Sequence, residues 1–120
     1  MTRPARRDER PESALTANIR EMCRPGGVLA PCYAEWISQR GGKGSGTSEG
    51  APDLILHRRG VTHIVETKRP DGGRLSRAQI IAARLRWDDG GVPTYVVDSE
   101  QEFADLCCGR LAPWRGWEAT

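Results

Sequence analysis

Apolar positions follow two periods along this chain. Leu15, Ile19 and Met22 recur at i, i+4 and i+7, one stripe of a helix that opens at Pro11-Glu12-Ser13, runs to about Cys23 and ends at Pro25-Gly26-Gly27. Residues 28–37 read as a strand that Pro31 either shortens or pushes to a sheet edge. Residues 53–58 and 61–68 are two strand segments joined by a tight turn at Arg59-Gly60, a β-hairpin. Ser76-Arg77-Ala78-Gln79 has the S-x-x-Q form of a capping box. It opens a helix to about Asp88, with Ala78, Ile81, Ala82 and Leu85 as the expected buried stripe and Gly90-Gly91 as the stop. Residues 93–98 form a short apolar strand, and Ser99 caps a last helix with Phe103 and Leu106 on its apolar side. A strand, helix and strand in this order predict a crossover that lays the last strand parallel to its partner. The fold class is α/β, a mixed central sheet flanked by helices in the order αβββαβ. It is one domain over residues 11–110, between a flexible basic arm (1–10) and a tail (111–120) whose Trp114 and Trp117 pack either on the core or on a second copy.

The hairpin turn fixes a register. If it centres on Arg59-Gly60, cross-strand partners have numbers summing to 119, and Asp53 lies opposite Glu66. Opposed residues share a face, as do residues two apart on one strand. Asp53, Glu66 and Lys68 therefore converge at one end of the hairpin. Two carboxylates side by side repel unless a cation lies between them. An acid pair with a neighbouring lysine suits a divalent metal that activates water against a phosphate. Taken singly, each residue has a plainer account, a turn residue after Pro52 or a surface ladder. His57 and His63 flank the turn and read as solvated or satisfied histidines.

Length and composition limit the other readings. The 120 residues are 38% apolar and 28% charged, which predicts a globular chain with one core and not two. No apolar run approaches the ~20 residues of a membrane span. The basic N-terminus has no apolar stretch behind it, so a cytoplasmic location is expected. Cys23, Cys32, Cys107 and Cys108 contain no C-x-x-C pair and read as buried or idle thiols. The net charge of +2 hides an excess: between His57 and Arg86, eight basic side chains face only Glu66 and Asp71. Positive charge around an acid pair suits an enzyme that acts on a polyanion, although a solvated arginine face gives the same pattern. Lys43 sits in a glycine-rich stretch (39–50) that lacks the order of a phosphate-binding P-loop; it either folds over a DNA backbone or is a linker. Glu12 leans toward the inward face of the first helix, placed there either to reach a metal site or by the helix dipole.

Glu12, then Gly50-Ala51-Pro52-Asp53-Leu54-Ile55-Leu56, then Ile64-Val65-Glu66-Thr67-Lys68-Arg69, then Gly72-Gly73-Arg74-Leu75-Ser76-x-x-Gln79, and finally Tyr95-Val96-Val97-Asp98 form an ordered set. The set resembles the VRR-NUC domain of the PD-(D/E)XK nuclease superfamily, in particular its short stand-alone phage and bacterial members, over about Glu12 to Leu106. The resemblance implies a restriction-endonuclease-like core and a Mg2+- or Mn2+-dependent endonuclease, acting most of all on branched DNA such as four-way (Holliday) junctions. It implies Asp53, Glu66, Lys68 and Gln79 as catalytic residues. Asp53, Glu66, the carbonyl of Thr67 and the helix-one carboxylate Glu12 would be metal ligands. Lys43, Arg69, Arg74, Arg77 and Arg84 are the expected DNA contacts, and a homodimer is expected because a two-fold junction needs two sites. No nucleotide cofactor and no membrane partner are expected. Gln79 also has a structural account as the third residue of the capping box. The chain departs from the family pattern in its longer glycine stretch and in Glu35, where a neutral or basic residue is expected. The rival functions are flap-processing or restriction-like cleavage, and a non-cleaving DNA-binding subunit of a replication or repair complex.

Overall fold

The computed structural model describes residues 12–37, 50–68 and 74–119. Its elements are α1 (Glu12–Cys23), β1 (Tyr33–Trp36), β2 (Leu54–Arg58), β3 (Val61–Thr67), α2 (Arg77–Gly90), β4 (Thr94–Val97) and α3 (Glu100–Cys107), followed by a 3₁₀ turn at Gly116–Ala119. They form a mixed α/β fold with one four-stranded sheet in the order β1-β2-β3-β4. The arm 1–10, residues 39–49 and the turn 69–73 lie outside the described residues.

The β2–β3 hairpin adopts the register read from the sequence. Leu54 pairs with Val65, Leu56 with His63 and Arg58 with Val61, each pair summing to 119. Its turn carries Arg59 at φ 52 and Gly60 at φ 80, the left-handed pair that a two-residue turn of this hand requires. β1 joins β2 antiparallel at the edge, and β4 joins β3 in parallel. β1 is four residues long, not the ten expected over 28–37. Residues 28–32 run instead as bends and turns through Pro31, the outcome that proline allows at an edge.

Alternation sorts the sheet into an apolar face and a polar one. Leu54, Leu56, Val65 and Val97 pack with Leu15 and Ile19 of α1 and with Phe103, Leu106 and Cys107 of α3 in one buried cluster. Full burial of each large side chain stabilises the fold by about 1.5–3 kcal/mol. Asn18 ties the two helices by donating to Glu100 at 2.6 Å. Cys23 and Cys107 belong to this core; burial pushes the Cys23 thiol up to about 12 and the Cys107 thiol up to about 11, so both stay protonated at neutral pH. Among the described residues no helix is long and apolar enough to cross a membrane.

α2 lies on the opposite face, turned away from its expected orientation. Ile81 and Leu85, two of the four stripe residues, are 48% and 60% exposed, and the one fully buried residue of the helix is Ala83. Ala78 and Ala82 do turn inward, because Gly50 packs against them. A Cβ on Gly50 would lie 2.5 Å from the Ala78 carbonyl oxygen and 3.2 Å from the Ala82 Cβ, and its φ is +83°. The tail folds onto this layer and not outward. The Trp114 main-chain N–H donates to the Thr94 carbonyl at 2.7 Å, Trp117 is buried edge-on against Trp114, and Arg115 lies over Trp87 of α2.

Candidate active site

Asp53 closes the hairpin on the side of α2. It sits one residue before β2, and continuing the register places it across from Glu66. Its main-chain carbonyl accepts from Ile37 N–H at 2.9 Å. Its carboxylate Oδ2 accepts from the Thr67 N–H at 2.7 Å and the Thr67 hydroxyl at 3.0 Å. Thr67 is itself buried and in strand geometry, so both donors are fixed before any ligand arrives. Gly50 allows this approach: with φ +83° and no side chain, it lets the segment that ends in Asp53 pass close under α2.

Glu66 is fully buried on the same face. Its Oε1 accepts from Gln79 Nε2 at 3.2 Å, and its Oε2 has no hydrogen-bond partner among the described residues. A buried carboxylate oxygen without a donor is costly. Burial first, and then the charge of Asp53, push its carboxyl up to about 8, while Lys68, Arg86 and the main chain of Asp53 pull the other way. Lys68 follows β3 on this face, half-buried, with its N–H bonded to Val97 O at 2.8 Å.

Gln79 joins the cap to the site. The capping box is complete: Gln79 N–H donates to Ser76 Oγ at 3.1 Å, and Ser76 N–H donates to Gln79 Oε1 at 2.8 Å. The amide oxygen is thus held by the cap while the amide nitrogen donates to Glu66. The structural and functional accounts of this residue describe two ends of one side chain.

Arg86 was missed in the sequence. It is half-buried and donates to the Thr94 hydroxyl from Nε at 3.2 Å and Nη2 at 2.9 Å, close enough to Glu66 for their charges to interact. The signal was present, since Gln79, Ala83 and Arg86 follow i, i+4, i+7 and form the inner face of α2. Asp53, Glu66, Thr67, Lys68 and Gln79 are therefore brought together. Arg77 and Arg84 lie on the outer face of α2, where Arg84 pairs with Asp88 at 3.3 Å, and Arg74 is exposed before the helix. Lys43, Arg69 and the side chain of Glu12 lie outside the described residues. No cluster of three or more His, Cys, Asp or Glu side chains able to hold a metal occurs among the described residues. Among the described residues, the acids that meet are two, Asp53 and Glu66.

The donor set still fits a divalent cation. Two carboxylates lie close enough for their charges to interact, and among the described residues nothing satisfies the buried Glu66 Oε2. The His57 imidazole is satisfied, one of the two states expected of it: Nε2 pairs with Glu35, and Nδ1 is 3.1 Å from Thr62 Oγ1. No protein-family model matches this chain, and no curated protein or solved structure matches it either.

Proposed function

We propose that this protein is a Mg2+- or Mn2+-dependent endonuclease that hydrolyses phosphodiester bonds in DNA, with a restriction-endonuclease-like core of the VRR-NUC type. The observation that carries this reading is the fully buried Glu66, with Oε2 unpartnered and Asp53 beside it. The run α1-β1-β2-β3-α2-β4, the antiparallel hairpin and the parallel β3–β4 pair support this reading.

Each residue of the site has a task. Asp53 and Glu66 would hold the ion, which when bound supplies Lewis acidity toward a phosphate oxygen and a more acidic water. Thr67 fixes the Asp53 carboxylate through two donors. Gln79 fixes Glu66 from the cap of α2. Lys68 places a positive charge where negative charge grows on the phosphate during attack. Preorganised charge of this kind costs no reorganisation at the moment of reaction. Arg74 and Arg77, exposed at the entry to α2, are the DNA contacts nearest this end of the helix, with Lys43, Arg69 and Arg84 completing the proposed basic surround.

Branched DNA, with four-way junctions first, is the proposed substrate, and a homodimer is the proposed assembly, since paired cuts across a two-fold junction need two sites. The test is cleavage of labelled four-way junction, flap, single-stranded and linear duplex DNA, with Mn2+ and with EDTA, wild type beside Asp53→Ala. Symmetric junction cuts that vanish in EDTA and in Asp53→Ala are expected. Metal-dependent cutting of flaps or duplex alone would keep the chemistry and move the substrate. Binding without cutting of any substrate would overturn the enzyme reading in favour of a DNA-binding subunit.

A further inference from the structure

The polar face of the sheet continues past the acid pair. Asp53, Ile55 and His57 alternate onto one side of β2, the side that carries Glu66. α2 packs on β4 at the far side of this face, and among the described residues no helix covers β1 and β2 there. Tyr33 of β1 is the register partner of His57. Their rings lie 5.9 Å apart at 19°, and Tyr33 is 63% exposed. The His57 ring is clamped at both nitrogens, by Glu35 and by Thr62. The half-buried pair Ile55 and Ile64 floors the gap between this stack and the acids.

We propose that Tyr33 and His57 form a stacking platform for one unpaired nucleobase of the same polynucleotide whose phosphate lies at Asp53 and Glu66. The proposal rests on the nuclease reading for its register and deepens it by naming what the substrate must present. Three observations carry it. An aromatic ring this open, already stacked and backed by a fixed imidazole, offers a flat apolar surface of the size of a base. Glu35 sets a carboxylate on the patch, and the described side chains of this patch include no arginine or lysine. A phosphate therefore finds no free cation here, since the one imidazole is already paired with Glu35, and the patch favours a strand that turns its bases toward the sheet. The spacing also fits. Four residue steps lead from Asp53 to His57, roughly 13 Å, or about four stacked nucleotides at ~3.4 Å each and fewer if the strand is extended. Paired bases hide their faces inside the duplex stack, so the occupant is unpaired. Such a base is present in a flap or single-stranded arm, or at a branch point whose flanking pairs have opened, and not in linear duplex. Glu35, which departs from the family pattern, thereby acquires a role: it orients the imidazole and excludes the backbone.

The experiment uses a branched oligonucleotide carrying one 2-aminopurine, moved stepwise through the unpaired positions, with the full chain in EDTA so that nothing is cut. Quenching by stacking is expected at one position within about four nucleotides of the bond that is cleaved when Mn2+ is supplied. It should disappear in Tyr33→Ala and persist in Tyr33→Phe and Tyr33→Trp. Tyr33→Ala should weaken affinity for branched and single-stranded DNA about 10-fold and leave affinity for linear duplex unchanged. Equal affinity of Tyr33→Ala and wild type for branched DNA would overturn the proposal. So would an equal loss on branched and duplex DNA, which would mark a structural effect or a protein-binding patch. Cleavage by wild type on the same oligonucleotides is scored separately. Tyr33-dependent quenching without cleavage keeps the platform and removes the nuclease; cleavage without Tyr33 dependence does the reverse.

Discussion

Glu66→Gln tests the site through stability, independently of any substrate. The amide has the shape of the carboxyl and can keep a contact with Gln79, but it cannot ionise. In the wild type the Glu66 carboxyl, ordinarily at 4.5, is pushed up to about 8 by burial and by Asp53. The folded form therefore keeps a proton that the unfolded chain has released, and stability falls as pH rises between about 4.5 and about 8. At roughly 1.4 kcal/mol per pH unit, the displacement sets an upper bound of about 5 kcal/mol for the metal-free protein. Relaxation and water entry around a buried carboxylate bring the expected loss to about 2–3 kcal/mol. The assay is urea denaturation in EDTA at pH 5 and pH 8.5, wild type beside Glu66→Gln. Taking the difference between the two proteins cancels the other titrating groups, the raised Glu102 among them. Wild type should lose about 2–3 kcal/mol more than the variant over this interval, so that the variant is the more stable protein at pH 8.5. Mg2+ at pH 8.5 should restore the wild type and leave the variant unmoved. Parallel pH profiles for the two proteins would refute the reasoning, because an ionised, unpartnered Glu66 would then cost the fold nothing.

Lys68→Ala should lower metal-dependent turnover by about 10²-fold or more while leaving DNA affinity in EDTA within about 3-fold, as measured by single-turnover cleavage and anisotropy. Gly50→Ala forces a side chain into φ +83° and against the Ala78 carbonyl. A thermal melt should show a loss of at least about 1–2 kcal/mol, and cleavage should fall further as Asp53 is displaced. Arg86→Met removes a positive charge that favours the ionised Glu66 and frees the Thr94 hydroxyl. Without metal, the loss of stability should start at the same pH as in wild type but continue to a higher pH in this variant, and the Mg2+ concentration needed for half-maximal cleavage at pH 7 should rise.

The hairpin was legible because its geometry leaves little choice. A two-residue turn fixes the register, the register fixes the faces, and Asp53, Glu66 and Lys68 follow without knowledge of the rest of the fold. The capping box at Ser76 was legible for the same reason, being a local exchange of two hydrogen bonds. The inner face of α1 was legible because what it meets is apolar: Leu15 and Ile19 pack on Leu54, Leu56 and Val65. The extent of β1 was legible only in part: Pro31 marked the segment as shortened or at an edge, but not that pairing begins at Tyr33.

The orientation of α2 failed for a different reason, and magnitudes account for it. Turning Ile81 and Leu85 inward would stabilise the fold by up to about 1.5–3 kcal/mol each. The same rotation would carry Gln79 and Arg86 away from the sheet. Glu66, with no solvent exposure, would then lose the Gln79 donor at 3.2 Å and the opposing charge of Arg86, with Oε2 already unpartnered. The Thr94 hydroxyl would lose both bonds from Arg86. Stripping a buried acid of its donors costs about 1–3 kcal/mol for each orphaned group and more where charge is involved, which matches or exceeds the apolar gain. Gly50 adds a steric preference, since the helix lies over it at Ala78 and Ala82, where small side chains leave room. Apolar periodicity identifies the inward face of a helix when the surface it meets is apolar. Over a buried carboxylate the inward face is the one that carries donors, and on α2 that face is Gln79, Ala83 and Arg86.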